Sequence, residues 1–207
     1  MSDATHRDRI QQLIPKNPLA FRLAVAIKKT RMKAGFALGA ACVLATISMR
    51  DAPLGLGEIS PQSLAGLALV CAGVAFRIAA LGSIKKNEVL ATMGVYSLCR
   101  HPLYLGTMLL AFGLCLLMDN AWYFVIAAIY FAVFYSVTMV WEERLLRLRF
   151  GEVHQDYCAT TPALMPIGRR TPGTFEWSHA AKQGAWGLVA AVAATLALIE
   201  ALAVAFT

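Results

Sequence analysis

The chain has 207 residues, 58% of them hydrophobic and 15% charged, and carries a formal net charge of +7. So apolar a composition excludes an ordinary soluble domain of this size. The basic excess raises nucleic acid as a partner, and the placement of the charges has to decide that question.

Long apolar runs occur at Ala34–Met49, Leu64–Ile84, Leu103–Met118, Ala121–Trp141 and Gly184–Phe206. Crossing a bilayer takes about 20 residues at a 1.5 Å rise. The second, fourth and fifth runs reach that length, and the first and third lie near the lower limit. The predicted fold is all-α: a polytopic membrane helical bundle of about five transmembrane helices with a small cytoplasmic cap. The first run ends at Met49-Arg50-Asp51 with no small-x-small cleavage site, so it reads as a span and not as a signal peptide.

Arg7, Arg9, Lys16, Arg22, Lys28, Lys29, Arg31 and Lys33 precede the first span. Lys85, Lys86 and Arg100 fall between the second and third, and Arg144, Arg147, Arg149, Arg169, Arg170 and Lys182 between the fourth and fifth. Five spans put all three groups on one face, leaving Arg50 alone in a loop on the other. That asymmetry predicts a cytoplasmic N-terminus and cytoplasmic polar loops. The charge then reports topology and contact with anionic membrane lipids, and no nucleic-acid partner is expected.

In chain order, residues 1–33 form a basic cytoplasmic segment. Within it Asn17–Lys29 places Leu19, Leu23 and Ile27 on one face, as a helix in the headgroup layer or a plain lead-in to the first span. The Gly55-x-Gly57 after that span lacks the strand and parallel sheet of a nucleotide-binding domain and reads as a turn. The second span carries Arg77, which either snorkels to the interface or faces the bundle interior to anchor an anion. Gly66, Gly73 and Ala80 recur every seven residues along it, a face for close helix packing. Cys42, Cys71, Cys99, Cys115 and Cys158 show no paired metal-ligand spacing; Cys99, beside Arg100, is at most a reactive thiol.

The chemistry concentrates at Tyr96-Ser97-Leu98-Cys99-Arg100-His101-Pro102-Leu103-Tyr104-Leu105-Gly106. Pro102 marks the helix start, where a missing N–H has no intrahelical partner to lose. Arg100 and His101 therefore sit in the lip, with Tyr104 and Leu105 in a first turn whose free N–H groups suit an anionic group. Alone, the stretch also fits an interfacial belt of tyrosine and basic residues. Only Asp119-Asn120 separates the third and fourth runs, so 102–141 must be a helical hairpin. It returns Glu142-Glu143 to the membrane face of Arg100 and His101, although Glu143 could instead pair with Arg147 along its own helix. Residues 142–183 form the cap, with Gly151 able to end or bend a helix, and 184–207 the last span.

The ordered set Gly94-x-Tyr96, Arg100-His-Pro-x-Tyr104-x-Gly106, a hairpin, Glu142-Glu143, Phe150-Gly151, Tyr157 and Pro162-x-x-x-Pro166 resembles the isoprenylcysteine carboxyl methyltransferase family. That family belongs to a wider group of integral-membrane methyltransferases that includes phospholipid methyltransferases. The resemblance covers roughly Gly73 to Pro166 and makes 34–183 the methyltransferase core. It implies S-adenosylmethionine as cofactor, held by Tyr96, His101, Pro102, Tyr104, Leu105, Glu142, Tyr157, Pro162 and Leu164 at the cytoplasmic face. It also implies a lipophilic or lipidated acceptor entering between helices, faced by Arg100 and Glu143. The chain departs from the family pattern at Val95, Ser97, His154 and Ala163, the last where an arginine often stands.

The residues are compatible with that chemistry. Methyl transfer from a sulfonium is an in-line displacement governed by positioning, and aromatic faces and carboxylates favour the cation. A carboxylate acceptor would need a cation such as Arg100, and an amine would need a base such as Glu143. Two other readings stand beside it: a sterol-reductase-like membrane enzyme using a reduced nicotinamide dinucleotide, and a non-enzymatic transport or assembly protein. A transporter should show internal repeats, which the sequence lacks.

Overall fold

The structure, a computed structural model, describes residues 18–55, 60–83 and 89–206. Helix α1 spans Pro18–Met49, α2 Pro61–Ser83, α3 Pro102–Leu117, α4 Ala121–Phe150, α5 Glu152–Thr160, α6 Trp177–Lys182 and α7 Ala185–Phe206, with a 3₁₀ turn at Gly94–Ser97. The described residues are predominantly helical and include no strand, the all-α membrane bundle that the apolar runs predict. Four helices are long and apolar enough to cross a membrane, within Val25–Met49, Pro61–Ser83, Ala121–Phe150 and Ala185–Phe206. The fifth, α3, has 16 residues, about 24 Å at 1.5 Å per residue. Large apolar side chains such as Phe36, Leu44, Ile129 and Val204 point outward, where acyl chains would cover them.

Helix α1 is longer than the first apolar run. The segment expected to lie in the headgroup layer continues into the span without a break, because no proline or glycine interrupts residues 19–34. The residues before 18, with Arg7, Arg9 and Lys16, lie outside the described residues, as do Ile84, Lys85, Lys86 and Gly57; nothing is described of the Leu19 side chain.

Two chemical features fix the bundle. The first is a glycine seam between α2 and α3. A Cβ on Gly73 would sit 2.7 Å from the Gly106 carbonyl oxygen, and one on Gly113 would sit 2.7 Å from that of Gly66. Small residues let the two backbones approach, which is how helices associate in lipid. The third small residue of the α2 face, Ala80, is fully buried. The second is the α3–α4 hairpin. Asp119 takes a positive φ of 50°, and the Asn120 carboxamide oxygen accepts from the Trp122 N–H at 3.0 Å as an N-cap. Helix α4 then passes through a π-turn at Phe131–Tyr135 before it ends at Phe150. Gly151, at φ 56°, breaks it there.

Candidate active site

The site forms where α3 begins and α4 ends. Pro102 stands at the start of α3, and the His101 carbonyl accepts from the Tyr104 and Leu105 N–H groups, both at 3.0 Å. The hairpin returns Glu143 to this point. Arg100 Nε donates to Glu143 Oε1 at 2.9 Å, its second nitrogen lies 2.7 Å from the same oxygen, and His101 Nε2 lies 3.1 Å from it. The remaining Arg100 nitrogen donates to the Cys158 and Thr161 carbonyls. All three Arg100 nitrogens are therefore engaged, and Glu143 pairs across the hairpin instead of with Arg147. Burial holds the His101 imidazole below its ordinary value, with the Glu143 carboxylate opposing that trend.

Tyr104 joins this polar end to the bundle interior. His101 stacks on it with ring centroids 5.5 Å apart and 11° between planes. Tyr135, from the π-turn, meets the ring edge-on at 5.1 Å. Arg31 of α1 donates to the Tyr104 hydroxyl at 2.8 Å and lies 5.0 Å from the ring centroid. Glu142 lies beside the same hydroxyl. A π-turn shifts the register of α4 by a fraction of a turn, which lets Phe131 and Tyr135 both face Tyr104 in one buried cluster.

The cap is stitched over this end by its backbone. The Arg100 N–H donates to the Pro162 carbonyl at 2.9 Å, His101 to Ala163 at 3.0 Å and Gly168 to Leu98 at 2.9 Å. Leu164 packs on the Tyr104 cluster. The Tyr157 hydroxyl donates to the Tyr96 carbonyl at 2.5 Å, so both tyrosines, each buried, brace the 3₁₀ turn against α5. Gly168 and Gly173 let their own segment pass close to the 3₁₀ turn, since a Cβ on Gly168 would run into the Ser97 carbonyl and one on Gly173 would sit 2.6 Å from the Gly94 nitrogen. Cys99 is fully buried, and burial pushes its thiol up to about 11, so it is no reactive thiol.

Below Tyr104 opens a cavity of about 600 Å³ bounded by α1, α2, α3, α4 and α7. Its floor and walls are apolar, from Leu38 and Cys42 to Leu114, Ile126 and Leu198. Arg31, Arg77, Tyr104, Thr107 and Tyr135 stand at its site end, and its lining elsewhere also includes Tyr123 and Thr195.

Residues 61–153 match the phospholipid methyltransferase family. A protein-S-isoprenylcysteine O-methyltransferase of Schizosaccharomyces pombe is 29% identical over 106 residues, covering 51% of this chain and 45% of that protein. Protein-S-isoprenylcysteine O-methyltransferase B of Arabidopsis thaliana is 31% identical over 116 residues, 54% of this chain and 55% of that protein. The cobalt-zinc-cadmium resistance protein CzcN of Cupriavidus metallidurans is 38% identical over 94 residues, 45% of this chain and 43% of that protein. Through this segment the chain is similar to the phospholipid and isoprenylcysteine methyltransferases. It spans about half the length of the curated relatives it matches. No solved structure matches it.

Within the family segment, α2, α3 and α4 carry the glycine seam, the hairpin and the Arg100–Glu143 pair. The structure draws His101, Pro102, Tyr104, Glu142, Glu143 and Arg100 together at one end, with Pro162 and Leu164 folded over them. Leu105 is half-buried one residue beyond Tyr104, and the Tyr157 hydroxyl is spent on the Tyr96 backbone carbonyl. Sequence reasoning missed Arg31, Thr107 and Tyr135, which meet Tyr104 or Arg77 only through the bundle's tertiary packing. It left Arg77 between two readings. The structure turns it inward, onto Thr107 and the cavity.

Proposed function

We propose that the protein is an integral-membrane, S-adenosylmethionine-dependent methyltransferase that methylates a lipophilic acceptor at the cytoplasmic membrane face. The observation that carries this reading is the double position of Tyr104, which stacks on His101 on one side and lines the apolar cavity on the other. A polar cofactor and a lipophilic acceptor would meet at that ring.

The donor set fits the cofactor. The Glu142 carboxylate and the rings of Tyr104 and His101 suit a sulfonium, and the first turn of α3 suits a carboxylate. Leu105, Pro162 and Leu164 would supply apolar contacts beside them. When bound, S-adenosylmethionine supplies an activated methyl group. The chain's own part is to orient and to exclude water. Glu143 and Arg100 act as positioning residues: their pair fixes the His101 ring and pins the 161–164 strap. Tyr96 and Tyr157 hold the floor of the lip in place. In this reading 34–183 is the catalytic core, and α7 closes the cavity through Thr195, Leu198, Ile199 and Leu202. The positive-inside charge distribution supports a cytoplasmic site.

The test is transfer of labelled methyl from S-adenosylmethionine into the lipid extract of membranes containing the protein. Labelled lipid with the wild type, lost in Glu142→Gln, supports the reading. No label with folded wild-type protein across lipid extracts of several sources overturns it.

A further inference from the structure

The strap that follows α5 has two sides. Its inner side is bonded to the lip. The Pro162 and Ala163 carbonyls accept from the Arg100 and His101 N–H groups, and the Gly168 N–H donates to the Leu98 carbonyl at 2.9 Å. The Thr171 N–H donates to the Ser97 hydroxyl at 2.8 Å. On the outer side Met165 is 67% exposed and Ile167 78%. Arg169 and Arg170 follow, both exposed, and none of the ion pairs among the described residues takes either guanidinium. The carboxylate of this stretch, Glu176, lies 4.0 Å from His179. Apolar side chains held outward by a bonded backbone, beside cations without a counterion, suit a surface that is apolar beneath and anionic above.

The spans set the depth of this face. Helix α3 follows the lip directly and has 16 residues, about 24 Å of length against about 30 Å of hydrocarbon core. With its Asp119-Asn120 turn at the opposite surface, its start and the strap bonded there stand at the hydrocarbon edge. Aromatic residues mark the same level. The Phe175 ring lies against Gly82 in the last turn of α2, and the Glu176 N–H donates to the Gly82 carbonyl at 3.1 Å. Exposed Trp177 meets Phe175 edge-on at 4.9 Å, and exposed Trp186 stands second in α7. We propose that the outer face of 165–177 is a docking surface for the anionic phospholipid headgroups of the bilayer, and that this contact holds the strap on the lip. Met165 and Ile167 enter the boundary layer, and Arg169 and Arg170 take the lipid phosphates, which the guanidinium fork matches. The apolar pair points to a bilayer as the source of the anion, because a free phosphate would gain nothing from it. The consequence for the cofactor rests on the methyltransferase reading above: the strap carrying Pro162 and Leu164 closes more firmly over S-adenosylmethionine in an anionic membrane.

The experiment compares amide hydrogen exchange of the full-length protein in nanodiscs of phosphatidylcholine, alone or with about a third phosphatidylglycerol, read on the peptide covering 163–171. In the wild type that peptide should exchange about tenfold or more slowly in the anionic disc, as two arginines at a charged surface would give. Arg169→Gln with Arg170→Gln should remove the difference, and Met165→Ser with Ile167→Ser should shrink it. Peptides from α3 should exchange alike throughout, which shows that the variants are folded. Inorganic phosphate added to the neutral disc should leave the strap as it was; slowing by phosphate would make the ligand a free anion and overturn the headgroup surface. A strap equally open in both discs would leave the face to a soluble acidic partner and overturn it as well. So would a difference that survives both arginine changes. S-adenosylmethionine titrated into the same discs separates the two readings. A slowed strap without cofactor binding keeps the headgroup surface and removes the methyltransferase. Binding of equal affinity in both discs keeps the methyltransferase and overturns the hold of the lipid on the strap.

Discussion

The Arg100–Glu143 contact lends itself to a double-mutant cycle. Arg100 is 15% exposed and Glu143 30%, so the pair is neither a solvated surface bridge nor a fully buried one. Exposed pairs contribute about 0–1 kcal/mol, and removing one partner of a buried pair costs about 3–5 kcal/mol. Arg100 keeps the Cys158 and Thr161 carbonyls when Glu143 is changed, and a carboxamide in place of the carboxylate would still offer an acceptor. Glu143→Gln should therefore cost about 2 kcal/mol, near the middle of those ranges. Arg100→Gln should cost more, about 3 kcal/mol, because it loses the carboxylate and both strap carbonyls together. Since both changes delete the same contact, the double variant should cost about 1–2 kcal/mol less than the sum. The assay is thermal unfolding in a fixed detergent, where about 2 kcal/mol corresponds to roughly 4–8 °C for a chain of this size. Additivity within about 0.5 kcal/mol would show that the two side chains do not act as one unit. It would refute the view that this pair fastens the strap to the lip.

Other outcomes follow from the same geometry. Burial lowers both His101 and His154 from the ordinary 6.5. Each is therefore protonated more readily in the unfolded chain, so stability should be level above the ordinary value and fall as pH drops below it. Melting measured across that window should show the loss, and His101→Gln should reduce it, leaving the His154 share; an unchanged profile in the variant would contradict the assignment. Gly73→Ala or Gly106→Ala places a Cβ 2.7–2.8 Å from the facing carbonyl, and should lower stability by about 1–3 kcal/mol. Gly39→Ala, with nothing within 4 Å, should be neutral or stabilising by up to about 1 kcal/mol. Equal melting temperatures for the three variants would argue against the glycine seam. Tyr157→Phe removes the bond to the Tyr96 carbonyl and should cost about 1 kcal/mol or more, read by the same unfolding assay.

Much of this architecture was legible because its signals are local. Pro102 starts α3, Asp119-Asn120 turns the hairpin and Gly151 stops α4, each through its own backbone preference. Once the hairpin is granted, the meeting of Arg100 with Glu143 follows from topology alone. What stayed hidden is long-range. Gly66 and Gly73 announced a packing face, but nothing in their spacing named Gly113 and Gly106 as partners. Arg31 lies 73 residues from Tyr104 in sequence, and its charge was absorbed into the basic N-terminal count. The π-turn at Phe131–Tyr135 has no proline or glycine to mark it. The strap at 161–168 reads as an extended segment, and only its backbone bonds to Leu98, Arg100 and His101 make it part of the site. A cavity, being the space several helices leave, has no motif at all.

The account stands on a cofactor site at the Tyr104–His101–Glu142 end. Calorimetric titration of S-adenosylmethionine into the detergent-purified protein, beside His101→Ala and Glu142→Gln, tests it most directly. Micromolar binding to the wild type, lost in both variants while they remain folded, is the predicted result. Binding that both variants retain, or no binding by folded wild-type protein, would contradict it.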